Sequence, residues 1–412
     1  MATPSARRGG IPLAILAAAL AALAVFGVGA TSAPNRPLVT VTVNTLPIAN
    51  GLPMDLGISK GFFSAQGIEI KKNTLQSGND IVLALANNSG DIGYIGWVPA
   101  MIARTQGIAL SAVAASDVEG TSEADNWQNI MVKGSSSIRT PADLAGKTIA
   151  VNALKGVGEV MIKAALKKRG VDPNSVKLLA MPFPTMRTAL NNGQIDAFWA
   201  PEPFVSQALN IDGDRIVMAP GPVLGKFWPI GAYVAQNDWT KKNPELATKF
   251  RIAINQSLAY AQAHPDEIRA LLPSGTQNVR LPIWSPLADR AKLLELARYT
   301  KEFGVITTLP NLTQLVPSII PGGKTLQGEV GDRYILLRQD GEPVTTLKAG
   351  QYTFVVNDTS KTRSFELVGP GVSKKTSVAG TGRSTWTLTL EKGTYTFSSS
   401  GKPALKKTFK VT

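Results

Sequence analysis

The chain contains no cysteine in its 412 residues and a single histidine, His264. The first absence removes disulfides, thiol nucleophiles and cysteine-bound metals, and with them the acylated cysteine of a bacterial lipoprotein. The second removes histidine metal sites and any Ser-His pair away from position 264, which lies in AHPDE at the expected end of a helix, on solvated surface. Long polar tracts are missing too, so 44% hydrophobic content over this length implies two or three packed units rather than disorder. Long apolar runs are scarce. The one at residues 11–28 follows Arg7-Arg8 and precedes small residues, the make-up of an export signal (residues 1–33) cleaved after Ala30 or Ala33, or of a retained N-terminal anchor. Everything after Pro34 is expected to be soluble.

What the chain does have is α/β text. LVTVTVN (38–44) is a β-rich run, LPIANGLPMD a loop, and LGISKGFFSAQGIEIKKN a short helix leading to a second strand. SGNDIVLALANNSGDIGYIGWVPAMIA adds a helix started by Ser77-Gly78-Asn79-Asp80 and a strand that stops at Gly96-Trp97. The same grammar returns in SIRTPADLAGKTIAVNALKGVGEVMIKAALKKRGVDPNSVKLLAMPF. NNGQIDAFWAPEPF then closes the second unit. Neither Pro201 nor Pro203 carries a backbone donor, and each pushes its predecessor out of the helical region. The strand must therefore stop at Pro201, with its last side chains facing a crevice of the kind where open α/β sheets bind ligands. Two such units imply two lobes that the chain crosses near residues 129–133 and 230–236. The expected first lobe is 34–130 plus 235–325, and the second 131–234.

At IIPGGKTLQGEVGDR the text changes to short alternating strands separated by Gly-rich turns, an all-β Greek-key sandwich over 333–412. It carries thirteen Lys and Arg against five acids, a net +8 of the chain's +14. On an exported protein such a module is expected to meet anionic envelope material rather than nucleic acid, through Lys402, Lys406, Lys407 and Lys410; an inert basic surface is the plain alternative.

The ordered series LPIANGLPMDLGISKGFF, SGDIGYIGWVPA, SIRTPADLAGKTIAVN and ALNNGQIDAFWAPEPF resembles the substrate-binding proteins of ABC importers, specifically the nitrate/sulfonate/taurine and thiamine-precursor-like group, over residues 38–315. The resemblance implies an α/β, two-lobed type II periplasmic-binding-protein fold, a small-molecule ligand between the lobes, and closure that presents the complex to a membrane permease. In that arrangement Ile48 and Asn50 of the first loop, Ser77 and Asn79 at a helix start, Gly96 and Trp97 at a strand end, and Asn152 are expected at the ligand. Helix starts offer N–H groups to an anionic or carbonyl group, although Ser77 and Asn79 read equally well as plain caps. Trp97 and Trp199 are the expected aromatic walls, with Trp228 as a third that serves either the wall or the hinge. Glu202 and the acids of DVEGTSEAD (Asp117, Glu119, Glu123 and Asp125) favour an amine or ring nitrogen over a sulfonate unless they form a solvated face, so the ligand's charge stays open.

The last eighty residues resemble cupredoxins, in SKTRSFELVG followed by GTYTFSSSGKPALKKTFKV. The copper-ligand positions then fall on Arg363, Ser399, Lys402 and Leu405, none of which forms a blue-copper site, so the resemblance implies the fold without its metal. Enzymes that share the two-lobed fold use cysteine or a cleft histidine, which this chain lacks. The expectation is a monomeric, exported binding protein without catalysis, cofactor or metal. It would work in the periplasm or on the extracellular face of the cytoplasmic membrane, capturing a small organic or oxyanionic solute for an ABC permease. A sensor or adhesion protein that uses the same cleft with a non-permease partner is the rival reading.

Overall fold

Alternation in VTVTVNT buries Val41 and Val43, and the strand they form, β1 (Val39–Thr45), pairs in parallel with β2 (Ile68–Thr74) and β3 (Ile92–Gly96). The computed structural model describes residues 37–276, 279–317, 325–339, 342–378, 381–400 and 405–412, so the N-terminal apolar run and Lys402 fall outside it. Helix α1 (Leu52–Ser59) makes the first crossover, with Pro53 in its first turn, where the missing N–H costs nothing. Helix α2 (Gly78–Ala86) makes the second, and α3 (Trp97–Thr105) leads to β4 (Leu110–Val118), buried along its whole length. A strand covered on both faces reads as a continuous apolar run, as LSAVAASDV does.

The second lobe begins with β5 (Gln128–Val132). Then follow β6 (Thr148–Val151), α4 (Val157–Lys168), β7 (Lys177–Ala180), α5 (Phe183–Asn191), β8 (Ala197–Pro201) and β9 (Arg215–Met218). The chain returns through β10 (Pro229–Gln236) and ends the first sheet with β11 (Ile283–Trp284). The sheets run β2-β1-β3-β10-β4-β11 and β7-β6-β8-β5-β9. They share one plan: parallel strands, then an antiparallel strand in fourth place, β10 in one and β5 in the other.

That plan corrects the expected crossings. Residues 129–133 and 230–236 are not hinges, because β5 and β10 spend their backbone groups on sheet partners, Ile130 opposite Trp199 and Ala232 opposite Ile95. The chain crosses about ten residues earlier, at 119–127 and 219–228, and Glu119 N–H donates to the Trp228 carbonyl at 2.8 Å to tie the two crossings together. Beside them, one apolar cluster joins the lobes: Trp97 and Met101 of α3, Val160 and Met161 of α4, and Leu293 and Leu296 of the helix Arg290–Glu302.

The C-terminal strands are β12 (Thr325–Val330), β13 (Ile335–Gln339), β14 (Glu342–Pro343), β15 (Thr346–Leu347), β16 (Gly350–Asp358), β17 (Phe365–Gly369), β18 (Val372–Lys375), β19 (Gly382–Leu390), β20 (Gly393–Ser399) and β21 (Lys406–Val411). They form two five-stranded sheets, β14-β13-β12-β16-β19 and β15-β21-β20-β17-β18, closed over Phe354, Phe365, Phe397 and Phe409. Three of the four positions aligned with copper ligands meet there as an ordinary hydrogen-bond cluster: Arg363 Nη1 and the Leu405 N–H both donate to Ser399 Oγ at 3.2 Å. The lysines of the last strand do not share one face. Phe409 and Val411 point into the core, so period-two alternation sets Lys406 and Lys410 on the outer face and Lys407 on the inner one, at the open end of the sandwich.

Candidate functional site

Several helix starts converge between the lobes, around a cleft with about 520 Å³ of empty space including its open mouth. From the first lobe come Ile48 and Asn50 after β1, Asn79 at the start of α2, and Tyr94 and Gly96 at the end of β3. From the second come Gln128, Asn152, Val157 at the start of α4, Phe183 at the start of α5, and Trp199 near the end of β8. Trp127, in the first crossing, completes the wall.

Local sequence explains the aim of these elements. Gly96 is the cap residue of α3 and Gly156 that of α4, and neither helix receives a side-chain cap, so first-turn N–H groups are left for a ligand. Gly96 is also required sterically, because a Cβ there would lie 2.2 Å from Val157 Cγ2 across the cleft. Gly158 lets α4 settle on the Trp199 ring, which a Cβ would meet at 2.6 Å. Asn79 and Asn152 bond across the gap: Asn79 Nδ2 donates to the Leu154 carbonyl at 3.2 Å and Asn152 Nδ2 to the Gln76 carbonyl at 3.4 Å.

Six expected residues therefore line the cleft: Ile48, Asn50, Asn79, Gly96, Asn152 and Trp199. Four do not. Ser77 caps α2, its hydroxyl accepting from Asp80 N–H and donating to Asp80 Oδ2. Trp97 turns into the interlobe core because it opens α3 rather than ending β3, and is 1% exposed; Trp228 joins the same core. Glu202, fully buried, turns back on its own loop, where Ser206 N–H and Oγ each donate to it at 2.9 Å and Arg280 N–H lies at 3.4 Å. Burial pushes its carboxyl up to about 7 despite those bonds.

Tyr94, Trp127, Gln128 and Phe183 were not anticipated. Tyr94 and Phe183 sit in text that is apolar on both sides, so alternation could not mark the cleft-facing position, and Trp127 and Gln128 lie where the first crossing meets β5; the one available signal was aromatic residues recurring at element ends. The acidic segment divides. Asp125 is exposed and Glu123 pairs with Arg169 at the surface, whereas Asp117 and Glu119 are buried behind the cleft. Asp117 accepts from Tyr94 OH at 2.8 Å and from Asn50 Nδ2 at 2.7 Å, and Glu119 accepts from Gln128 Nε2. Burial pushes Asp117 up to about 6 and Glu119 up to about 8. No Lys, Arg, Asp or Glu is among the described residues that line the cleft, and two buried polar atoms of lining residues, Asn50 Oδ1 and Trp199 Nε1, have no hydrogen-bond partner. His264 lies elsewhere, exposed and stacked on Tyr260 at 3.8 Å.

Two lobes of this topology around an interlobe cleft define the type II periplasmic-binding-protein fold. The aliphatic sulphonate-binding protein SsuA of Escherichia coli shares it, with a TM-score of 0.56 and 20% identity over 68% of this chain and 98% of that one. The chain belongs to the NMT1/THI5-like family, which matches residues 49–268, more than half of its length. It is 30% identical over 208 residues to the taurine-binding periplasmic protein of Escherichia coli K12, covering 50% of this chain and 61% of that protein. It is also 23% identical over 238 residues to 4-amino-5-hydroxymethyl-2-methylpyrimidine phosphate synthase THI13 of Saccharomyces cerevisiae, covering 55% and 68%. The chain thus spans under two thirds of the taurine-binding relative, and its relatives include a synthase beside binding proteins.

Proposed function

We propose that this chain is an exported solute-binding protein that captures a small organic or oxyanionic solute between its lobes and delivers it to an ABC importer. The observation that carries the reading is the cleft itself: open helix starts, aromatic walls, and two lining residues, Asn50 and Trp199, whose buried Oδ1 and Nε1 atoms are without partners. A buried polar atom costs about 1–3 kcal/mol when unpaired, so such atoms fit a site completed by a ligand. Catalysis finds less support. The cleft lining holds amides, aromatics and aliphatics, and the buried carboxylates nearest to it are occupied in orienting those amides. Among the described residues no helix is long and apolar enough to cross a membrane, which is consistent with a protein that works beside a permease.

Mass spectrometry of small molecules released on denaturing protein purified from its own cells tests the reading. One solute near stoichiometric amount, lost from Trp199→Ala, supports it. A solute retained equally by Trp199→Ala places binding outside the cleft.

A further inference from the structure

The two crossings between the lobes meet at one buried acid. Glu119 opens the first crossing; its N–H donates to the Trp228 carbonyl of the second at 2.8 Å, and its side chain lies on Gly221, in the short helix Pro220–Leu224 of that second crossing. Gly221 has to be glycine, since a Cβ there would stand 2.1 Å from Glu119 Cγ. One residue on, the Phe227 N–H lies 3.4 Å from the Gly120 carbonyl and adds a second backbone tie. The Glu119 side chain is fully buried, and its oxygens are treated unequally: Gln128 Nε2 donates to Oε1, whereas Oε2 has no partner. Asn126 of the first crossing, Gln128 of β5, and Gly221 and the Trp228 backbone of the second crossing face it as neutral groups, and the charged group beside it is the Asp117 carboxyl of β4. A carboxylate here has one side-chain donor for two oxygens and another acid as its charged neighbour. Burying it so costs far more than burying the neutral acid, and burial pushes Glu119 up to about 8.

We infer that Glu119 is a proton-operated hinge pin: while its carboxyl is neutral the crossings stay packed and the lobes lie close, and its ionisation spreads the lobes so that water reaches the bare oxygen. Gln128 supplies the route, because it lines the cleft while it holds Oε1. The spread state, with a hydrated Glu119, ionises at lower pH than the close one. Closing therefore takes up a proton in the interval between the two titrations. A solute held by closure is bound most firmly below that interval, and its affinity falls as pH rises through about 8.

Only that last consequence rests on the cleft's being a solute site, and the pin is tested without solute. The chain has no cysteine, so Lys71→Cys on β2 and Lys177→Cys on β7, both exposed, place one spin label on each lobe of the full chain. Electron–electron dipolar spectroscopy is expected to show the interlobe distance lengthening between about pH 6 and about pH 10, with its midpoint near the value to which burial raises Glu119. Glu119→Gln, which keeps the Gln128 contact and cannot ionise, should hold the short distance throughout. Gly221→Ala, whose methyl displaces the pin, should show the long distance at both ends. Glu202→Gln, on its own loop, should move as the wild type does. Melting curves in the same buffers identify any variant that does not fold; if Glu119→Gln is one, Gly221→Ala and Glu202→Gln decide. A wild-type distance that does not change with pH overturns the inference. So does the same lengthening in folded Glu119→Gln, a short distance kept by folded Gly221→Ala, or a transition lost in Glu202→Gln. Each of these results leaves solute capture standing.

Discussion

The Asn79 side-chain amide, on the first lobe, donates to the Leu154 carbonyl on the second at 3.2 Å, and Asn152 returns the bond to Gln76 at 3.4 Å. Two residues expected from the sequence at the ligand thus also clasp the lobes. Hydrogen bonds of this kind contribute about 0.5–1.5 kcal/mol each, so Asn79→Ala with Asn152→Ala is expected to weaken solute binding by about 1–3 kcal/mol while barely moving the melting temperature. Small-angle scattering of the wild-type chain should give a smaller radius of gyration with solute, and a smaller change in the double variant. An unchanged radius in the wild type on tight binding would mean that the crossings at 119–127 and 219–228 do not act as a hinge.

Trp97 and Trp199 should separate by their effect on affinity. Trp97 fills the interlobe core with Met101, Val160 and Leu293, so Trp97→Ala is expected to cost about 3–5 kcal/mol of stability in denaturant titration. Trp199 lines the cleft while packing into the second-lobe core at 3% exposure, so Trp199→Ala is expected to lower affinity by about 1–3 kcal/mol and to cost stability as well. A selective loss of affinity in Trp97→Ala would contradict its placement.

The buried acids set an unusual pH dependence. Glu119, Glu202 and Asp117 are pushed up to about 8, 7 and 6 by burial, whereas an unfolded chain ionises such groups near pH 4. Between those limits the folded state holds protons that the unfolded state has lost, so these groups contribute stability below about pH 4 that is lost as pH rises through their folded values. Gln128, Asn126, Gly221 and the Asp117 carboxyl surround Glu119, and burial is what raises it. Melting temperature should therefore fall from pH 5 to pH 8, and Glu119→Gln should flatten the segment above pH 7. An identical slope in the variant would show that Glu119 is not the group titrating there.

The outer face of β21 offers a test of envelope binding. Lys406 and Lys410 share it, and each basic residue near an anionic membrane is worth about 1 kcal/mol at most. The full chain is expected to sediment with phosphatidylglycerol vesicles at low salt and to release as salt rises, since screening acts beyond roughly 10 Å at 0.1 M. Lys406→Glu with Lys410→Glu should abolish sedimentation and leave solute affinity intact. Undiminished sedimentation would assign the interaction to another surface.

The two lobes were legible because their parallel strands are short apolar runs between helices with clear starts, and the sandwich because RYILLR and GTYTFSS alternate. The crossings were misplaced by ten residues because β5 and β10 look alike whether they join lobes or pair within one. Trp97 and Trp199 both end aromatic strand text beside a turn; the helix that Trp97 begins sends it into the interlobe core, whereas Trp199 packs in the second-lobe core with one side at the cleft. Asp117 shares its run with Glu123 and Asp125, and nothing local distinguishes them. Its burial depends on Asn50, 67 residues earlier, and on Tyr94. The floor of the site is thus a long-range product of folding, visible only once β3 and β4 flank β10.

Solute capture in the cleft is tested most directly by saturation-transfer NMR on the purified chain against a mixture of small amino-sulfonates, amino-carboxylates, nitrogen heterocycles and simple organic anions. The account predicts transfer to members of the set with the wild-type chain and its loss in both Trp199→Ala and Asn50→Ala, each folded by its melting curve. No transfer to any solute, or transfer unchanged in both variants, would contradict it.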